Sequence, residues 1–335
     1  MKRTSIALLV GITGALVSAG SADESAKKAD KPAVKLLIAF ASFRERPLHP
    51  KVYFYEHDGV ASGKILGSID AVNQRSDYHP SLSHDGLYCA FASELENQTG
   101  RILFWDMKSR KLIDQPTLND SPNGQLGAAL SGDGKFLAFS AWARPGASGR
   151  WDVLLYDRTA KKLVDLPGLN TPRHDERMPA LSADGRFLAY ATNAKGGKGL
   201  TDVYLYDCKE KKVDQLAEMN SASMDVEPSL SADGRLIAFV SDRPGGKGGR
   251  DVYLYDREKK AMVPLPGLNS TAHEQSPSLS PDGRFIAFVS ERTSGMGERD
   301  IYLYDRQTEK LLPTPGLNSK AEDFDPCVIV LKTGD

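Results

Sequence analysis

One strand-forming phrase recurs six times along this chain, at a spacing of 48 to 51 residues, and constrains the fold more than any other feature. Three copies read MPALSADGRFLAYAT from Met178, EPSLSADGRLIAFVS from Glu227 and SPSLSPDGRFIAFVS from Ser276. In five copies an Asp-Gly pair is followed 20 to 24 residues later by a second phrase, such as YLYD. A repeat of this length, built from short strands and Gly-rich turns, predicts stacked or radial repetition of one supersecondary unit.

Each repeat predicts a β-hairpin, because Asp-Gly between two apolar runs favours a type I′ turn with positive φ at both central residues. In the last complete repeat we expect strands at 277–279, 284–290 and 300–304, and a weaker one near 310–313. The second strand, with the run FIAFV, is apolar on both faces, which is typical of a strand that lies between other sheets. Each repeat is therefore predicted to be a four-stranded antiparallel sheet.

The two ends of the chain carry complementary parts of a sixth sheet. LLIAFAS at 36–42 and KVYFYEHDG at 51–59 match second and third strands, whereas the segment from Asp323 matches a first strand. Sheets packed around an axis bury both of their faces and leave only short edges. We therefore predict an all-β, six-bladed β-propeller of four-stranded antiparallel blades, in which 326–331 forms the innermost strand of the blade that contains 35–69.

These repeats resemble the WD-like repeats of the TolB family, whose unit has the pattern P-S-W-S-P-D-G-x-x-I-A-F-x-S followed by D-I-Y-x-x-D. SPSLSPDGRFIAFVS from Ser276 and RDIYLYD from Arg299 match it at almost every position, and the resemblance covers about 300 residues. It implies a six-bladed propeller that is exported across the inner membrane. The repeats begin close to the N-terminus, so the separate α/β domain of TolB is not expected here.

The first 22 residues have the pattern of a secretory signal peptide. A basic start at Lys2 and Arg3 is followed by an apolar stretch at 6–17, which is shorter than a membrane span needs, and by small residues that suit cleavage. We expect residues 1–22 to be removed, 23–33 to form a polar leader, and 34–335 to form the propeller. The mature protein is expected to be a periplasmic or secreted monomer, and the alternative is a chain that keeps this segment as a membrane anchor.

The charge, the cysteine spacing and the glycine runs do not predict a nucleic-acid-binding protein, a disulfide-rich protein or a nucleotide site. Loss of 1–22 removes two of 43 basic side chains and leaves 41 against 44 acidic ones, which does not predict nucleic-acid binding. The three cysteines fall in different repeats and predict no disulfide framework. The runs GGKG at 196–199 and GGKGG at 245–249 lead into neither GK[ST] nor a helix, so they do not predict a nucleotide site.

The candidate site is a set of polar residues, each three positions before the first proline of its repeat or the alanine that replaces it: Asp77, Gln125, Glu176, Asp225, Glu274 and Asp323. Since equivalent positions of a propeller surround its axis, we expect these side chains at one mouth of the channel, where they would bind a partner. We also expect the mouth to hold a cation, either a metal such as Ca²⁺, which prefers oxygen ligands, or a basic group of a partner. The expected ligands come from three consecutive repeats: Asp225, Glu274 and Asp323, with Glu227 and Asp325 as further candidates. The alternative is that each carboxylate only accepts hydrogen bonds within its own loop.

Two classes of function fit this pattern. The first is a non-catalytic periplasmic propeller that requires no cofactor and binds a protein or a cell-envelope component. The second is a glycosidase or polysaccharide lyase that uses two carboxyl groups at the channel mouth as acid and base. Basic residues in the loops between second and third strands, among them Arg44, Arg243 and Arg292, are expected to form a rim around the mouth. Residues that recur in every blade serve the blade, so we expect binding rather than catalysis.

Overall fold

The computed structural model describes residues 34–69, 75–95, 100–115, 118, 124–142 and 150–331. These residues form six four-stranded antiparallel sheets and contain no helix. Neighbouring sheets contact one another through their first strands, and the last sheet contacts the first, which confirms the six-bladed propeller. The signal peptide and the leader predicted for 1–33 lie outside the described residues.

Five blades are formed by consecutive strands, whereas blade 1 combines strands from both ends of the chain. Blade 1 contains β1 (Lys35–Ser42), β2 (Lys51–His57), β3 (Gly63–Ser68) and β24 (Asp323–Leu331), and blade 2 contains β4 (Arg75–Leu82), β5 (Tyr88–Leu95), β6 (Arg101–Asp106) and β7 (Lys111–Ile113). Blade 3 contains β8 (Gln125–Leu130), β9 (Phe136–Trp142), β10 (Trp151–Asp157) and β11 (Lys162–Val164), and blade 4 contains β12 (Glu176–Leu181), β13 (Phe187–Thr192), β14 (Asp202–Asp207) and β15 (Lys212–Asp214). Blade 5 contains β16 (Asp225–Leu230), β17 (Leu236–Ser241), β18 (Asp251–Asp256) and β19 (Ala261–Met262), and blade 6 contains β20 (Glu274–Leu279), β21 (Phe285–Ser290), β22 (Asp300–Asp305) and β23 (Lys310–Leu312).

The turn between the first two strands of a blade differs from the predicted type I′ turn. In blade 6 the N–H of Gly283 donates to the carbonyl of Ser280 (2.8 Å), and only Gly283 has positive φ (71°). Pro281 holds its own φ near −65°, which suits the second position of a type I turn and not of a type I′ turn. The hydroxyl of Ser280 donates to Asp282 (2.6 Å) and accepts the N–H of Phe285 (2.8 Å). The hairpin is therefore a type I turn followed by a left-handed glycine.

The hydrophobic core is divided into six clusters, one between each pair of neighbouring blades. The cluster between blades 6 and 1 contains Phe40, Tyr55, Phe285 and Val289, all of them almost fully buried. Every residue of β21 is buried, as predicted for a strand that is apolar on both faces. Because burial of one such side chain contributes about 1.5–3 kcal/mol, the contacts between blades hold the ring together.

Pairing of the two chain ends closes the ring, as predicted. β1 pairs antiparallel with β24 from Lys35 opposite Leu331 to Ser42 opposite Asp323, with a bulge near Ala39. Seven of the eight residues of β1 are buried. β24 therefore completes a sheet whose other strands lie nearly 300 residues earlier, and it begins at Asp323, three residues before the predicted range 326–331.

Backbone hydrogen bonds also link the blades at the end of the channel where the innermost strands finish. The N–H of His84 donates to Gly132, that of Gly132 to Ala183, that of Ala183 to Ala232 and that of Ala232 to Pro281, each at 2.8 Å. This series runs in one direction from blade 2 to blade 6. Pro281 has no N–H and cannot continue it.

A second set of hydrogen bonds between blades uses a short side chain in the middle of the innermost strand. The hydroxyls of three serines accept an N–H from the next blade at 2.9–3.0 Å: Ser81 from Leu130, Ser229 from Leu279 and Ser278 from Val328. In blade 1 the equivalent residue is Cys327, whose sulfur accepts the N–H of Leu82 at 3.3 Å. Burial raises the pKa of the Cys327 thiol to about 11, so the group is a neutral thiol and a weak acceptor.

Replacement of Cys327 should therefore separate the effect of the acceptor from the effect of volume. We expect Cys327→Ser to match or exceed the melting temperature of the parent, and Cys327→Ala to lower the free energy of unfolding by about 1 kcal/mol. Thermal denaturation under reducing conditions measures both, with Cys208→Ser as a control for loss of a thiol elsewhere. A serine variant less stable than the alanine variant would contradict this role.

Candidate functional site at the channel mouth

The innermost strand of each blade contains one residue in the left-handed region of φ, directly before the proline of the repeat or the alanine that replaces it. These residues have φ between 49° and 65°: His79, Gly127, Met178, Glu227, Ser276 and Asp325. The pairing register shifts around each of them, so each sits in a β-bulge. Five of the six carry a side chain in a conformation that non-glycine residues rarely adopt. The bulge redirects these side chains out of the regular alternation of the strand.

The six bulge residues surround a cavity of about 290 Å³ at the end of the channel where the innermost strands begin. We call it the mouth cavity. Its wall also contains the neighbouring prolines Pro80, Pro179, Pro228, Pro277 and Pro326 and side chains from blades 3 and 4. A concave site with a few polar groups among apolar ones is the usual form of a binding site.

One side of the mouth cavity is polar and is formed by four consecutive blades. An oxygen of Glu227 accepts the N–H of Ser276 at 2.6 Å, and the hydroxyl of Ser276 lies 3.4 Å from Asp325. The other oxygen of Asp325 accepts the N–H of His79 at 3.2 Å and lies 3.5 Å from its ring Nε2. We call these four residues the polar wall.

The opposite side is apolar and belongs to blades 3 and 4. It contains Leu126, Gly127, Trp151 and Met178, which we call the apolar wall. Met178 is 38% exposed. Trp151 meets Trp142 edge-on with ring centroids 5.1 Å apart. The two walls make the mouth cavity chemically asymmetric although the backbone around it is repetitive.

The carboxyl group of Glu227, in the polar wall, has a raised pKa. Burial raises the pKa of Glu227 above its usual value and the charge of Asp325 raises it further, although the N–H of Ser276 favours the ionised form. The side chains of Arg250 and His79 act in the same direction as that N–H. The net effect is a carboxyl group that ionises less readily than usual, which is a property that functional carboxyl groups often share.

The six polar residues predicted for the mouth lie at or near the starts of the innermost strands, but their side chains are buried within the blades: Asp77, Gln125, Glu176, Asp225, Glu274 and Asp323. Among the described residues that line the mouth cavity, none belongs to this set. The cause is the strand register, which places most of these side chains opposite a serine or threonine at the end of the second strand, as Asp225 lies opposite Ser241. Their role in partner binding stays a prediction. In the structure, the bulge residues that line the mouth cavity lie two positions later in each strand.

Three of these acids are bound by an arginine of the same blade. The guanidinium group lies 2.6 Å from the acid in the pair Arg243–Asp225, and equivalent pairs are Arg44–Asp323 (2.7 Å) and Arg292–Glu274 (3.1 Å). Arg243 also stacks over Phe239 and Tyr253, 5.1 and 4.7 Å from the ring centroids. The expectation that these three arginines belong to an exposed basic rim is therefore wrong. Each is held in the blade by the carboxylate and the aromatic rings.

A Ca²⁺ site formed by Asp225, Glu274 and Asp323 stays a prediction, and the arrangement of the side chains does not favour it. Each of the three carboxylates faces its own arginine, so the cation beside it is part of the chain. In the part of the chain that the structure describes, no group of three or more His, Cys, Asp or Glu side chains is placed to hold a metal ion.

Blades 2 and 4 keep the acid but lack the arginine. Burial raises the pKa of Asp77 to about 6, although a hydrogen bond from Ser93 (2.5 Å) acts to lower it. Burial also raises the pKa of Glu176 to about 7. Ala194 stands where the arginine lies in blades 1, 5 and 6. The Oε2 atom of Glu176 is buried and has no hydrogen-bond partner among the described residues.

The Gly-rich loops before the third strands direct their backbone N–H groups at an acid of the chain itself. In blade 5 the N–H groups of Lys247 and Gly248 donate to Asp251 at 2.9 and 3.3 Å. Asp202 and Asp300 have the same role in blades 4 and 6. These N–H groups are therefore not free to bind a phosphate.

The sequence indicated only some of the residues that line the mouth cavity. Glu227 and Asp325 stood out as carboxylates beside prolines, whereas His79, Met178 and Ser276 did not. A signal existed, because the two positions before the proline differ in all six copies while the flanking motif is repeated. The bulge that turns the second of these positions towards the channel is a property of the paired strands.

Comparison with known proteins supports the fold. No family model matches the chain, and no curated protein sequence matches it. Among solved structures the chain is similar to TolB from Acinetobacter baumannii, with a TM-score of 0.62 and 18% identity over 87% of this chain and 66% of that one. It is also similar to a putative TolB from Agrobacterium tumefaciens, with a TM-score of 0.53 and 17% identity over 90% of this chain and 100% of that one.

A third similar structure is hydrazine synthase from Kuenenia stuttgartiensis, with a TM-score of 0.56 and 14% identity over 90% of this chain and 47% of that one. The chain thus spans 66% of the length of the Acinetobacter TolB and about half of the hydrazine synthase chain. At such identities the likeness concerns the fold alone. The TolB-like propeller expected from the repeats is confirmed at that level.

Proposed function

We propose that this protein is a non-catalytic, TolB-like propeller that binds a protein or another cell-envelope component at its mouth cavity. One observation carries the proposal: six equivalent backbone positions with the same left-handed conformation are occupied by six different residue types. The backbone conformation is the same in all six blades, whereas the type of residue differs from blade to blade.

Residues that stabilise the blades, by contrast, are the same in several blades. The side chain of Asn269 accepts the N–H of Val252 (3.0 Å) and donates to its carbonyl (2.9 Å), which ties the loop after the fourth strand to the third strand. The same pair of hydrogen bonds recurs in three other blades, formed by Asn170, Asn220 and Asn318. Since residues with a structural task are repeated, the varied mouth residues are better explained by contacts with something outside the blades.

The loops around the mouth cavity also suit a protein partner. Loops between second and third strands emerge on this face, and three of them expose a large apolar side chain: Leu48 (80%), Leu200 (86%) and Met296 (62%). Exposed apolar residues around a polar centre are common in interaction surfaces.

We propose that the mature protein lies outside the cytoplasm, because residues 1–22 have the pattern of a signal peptide, and that it is a monomer. Within the described residues, no helix is long and apolar enough to cross a membrane. The TolB-like fold is consistent with an exported protein.

Site-specific photocrosslinking in intact cells of the source organism tests binding and export together. A photoreactive residue in place of Met178 is expected to give one or a few discrete crosslinked products in the envelope fraction. The same residue in place of Leu87, which is exposed at the opposite end of the channel, is the matched control and should give none. Mass spectrometry of the mature protein should find a start near Gly20 or Asp23.

Equal crosslinking at both positions, or none at Met178, would contradict binding at the mouth. A product that retains Met1 and stays in membranes would contradict export.

A second candidate is a glycosidase or polysaccharide lyase, favoured by the raised pKa of Glu227 in the same wall as Asp325. Two carboxyl groups in different environments can divide the roles of acid and base. Release of new reducing ends or unsaturated sugars from polysaccharides, lost in Glu227→Gln, would replace the binding proposal with this one.

A further inference from the structure

We infer that the mouth cavity receives a lysine side chain of the partner, with its ammonium group against the polar wall and its methylene groups against the apolar wall. This inference rests on the proposed function and names the chemistry that the same site recognises. It follows from the contents of the two walls and from their positions on opposite sides of one cavity.

The polar wall supplies acceptors for an ammonium group. Glu227 uses one oxygen to accept the N–H of Ser276, and Asp325 accepts the N–H of His79. A carboxylate can accept about four hydrogen bonds, so both keep acceptor capacity. An ammonium group has three donors and no acceptor, and it therefore complements two carboxylates and a serine hydroxyl.

The electrostatics of the polar wall favour a cation in the same place. Burial and the charge of Asp325 both disfavour the ionised form of Glu227. A cation between the two carboxylates reduces their repulsion and replaces part of the hydration that burial removes. The neighbouring acids of blades 5, 6 and 1 already have such a partner in Arg243, Arg292 and Arg44, but those guanidinium groups do not line the mouth cavity.

The apolar wall suits the rest of a lysine side chain. Met178, Trp151 and Leu126 line the cavity with a thioether, an aromatic and an aliphatic side chain. Lysine buries its methylene chain along such surfaces while its charged end finds polar groups. Gly127 carries no side chain and adds no bulk to this wall.

Besides His79 of the polar wall, one arginine lines the cavity, and it defines the competing ligand. Arg177 precedes Met178 on the side of the apolar wall. An acidic side chain of a partner would pair with Arg177 rather than with Glu227 and Asp325. Binding of a basic side chain should therefore depend on Glu227 and Asp325, whereas binding of an acidic side chain should depend on Arg177.

Calorimetry of the mature protein with three hexapeptides that differ at one position tests the inference. The position carries lysine, norleucine or glutamate, with both termini blocked. We expect the lysine peptide to bind at least tenfold more tightly than the other two, and higher salt to weaken its binding. The variants Glu227→Gln and Asp325→Asn should each lower this affinity about tenfold, while Glu298→Gln, which removes an exposed acid from a loop on the same face, should not.

Circular dichroism of each variant verifies that it is folded before its affinity is compared. Equal binding of the lysine and norleucine peptides would overturn the inference, as would unchanged affinity in both polar-wall variants. Stronger binding of the glutamate peptide, lost in Arg177→Gln, would assign an acidic ligand instead. If photocrosslinking at Met178 still captures a partner in these cases, the proposed binding function stands and only the lysine is excluded.

Discussion

Deletion of residues 321–335 is expected to prevent the propeller from folding. The deletion removes β24, the innermost strand of blade 1 and the pairing partner of β1. Because β1 is almost entirely buried, its unpaired backbone groups and the core between blades 6 and 1 would be exposed to water. The loss is of the order of 5 kcal/mol or more, which is comparable with the whole stability of a typical domain.

Circular dichroism and limited proteolysis of the truncated mature protein measure this effect. A synthetic peptide with the sequence 321–335 is the matched control, and its addition should restore resistance to protease. If the truncated protein melts within a degree or two of the parent, β24 does not close the ring.

Two equivalent glutamates are expected to respond to the same substitution with opposite signs. Glu176 has a folded-state pKa of about 7 against an ordinary value of 4.5, so the folded protein favours its protonated form. Stability is therefore lost as the pH rises from about 4.5 through 7, where the unfolded chain ionises freely and the folded chain does not. Glu176→Gln should resemble the parent near pH 4.5 and exceed its free energy of unfolding by up to about 3 kcal/mol at pH 8.

Glu274→Gln is the matched substitution in blade 6, where Arg292 lies 3.1 Å from the carboxylate. This change leaves a largely buried guanidinium without its counter-ion and should cost about 3 kcal/mol at pH 8. Urea denaturation of both variants at pH 4.5 and pH 8 measures the difference. A Glu176→Gln variant that loses as much stability as Glu274→Gln at pH 8 would show that Glu176 is ionised and paired in solution.

The architecture was predictable because its signals are local and repeated. The Asp-Gly turns, the apolar second strands and the split copy at 36–59 and 323–331 determined the number of blades and the closure of the ring. The type of turn was not inferred correctly, although Pro281 carried the necessary information. A proline at the second position already excludes a type I′ turn.

The direction of the polar side chains was harder to predict, because it depends on pairing between strands. A spacing along the chain locates Asp225 near the start of its strand, but only the register with β17 shows that it turns towards Ser241. Its arginine partner had a visible signal in the form of Ser-x-Arg, which occurs at Ser241–Arg243 and at the equivalent places in blades 1 and 6. Blades 2, 3 and 4 lack that motif, and the acids of blades 2 and 4 are the ones with raised pKa values.

Closure by the two chain ends also determines when the molecule can be completed during its synthesis. β1 is made early, and its partner β24 follows nearly 300 residues later, an interval of roughly 15–60 s at ordinary rates of translation. Until then the ribosome-bound chain carries an apolar strand with an open edge, which is a target for chaperones, proteases and other unfinished chains. A message that ends before residue 323 would therefore yield a product for cellular quality control, however many blades it had already encoded.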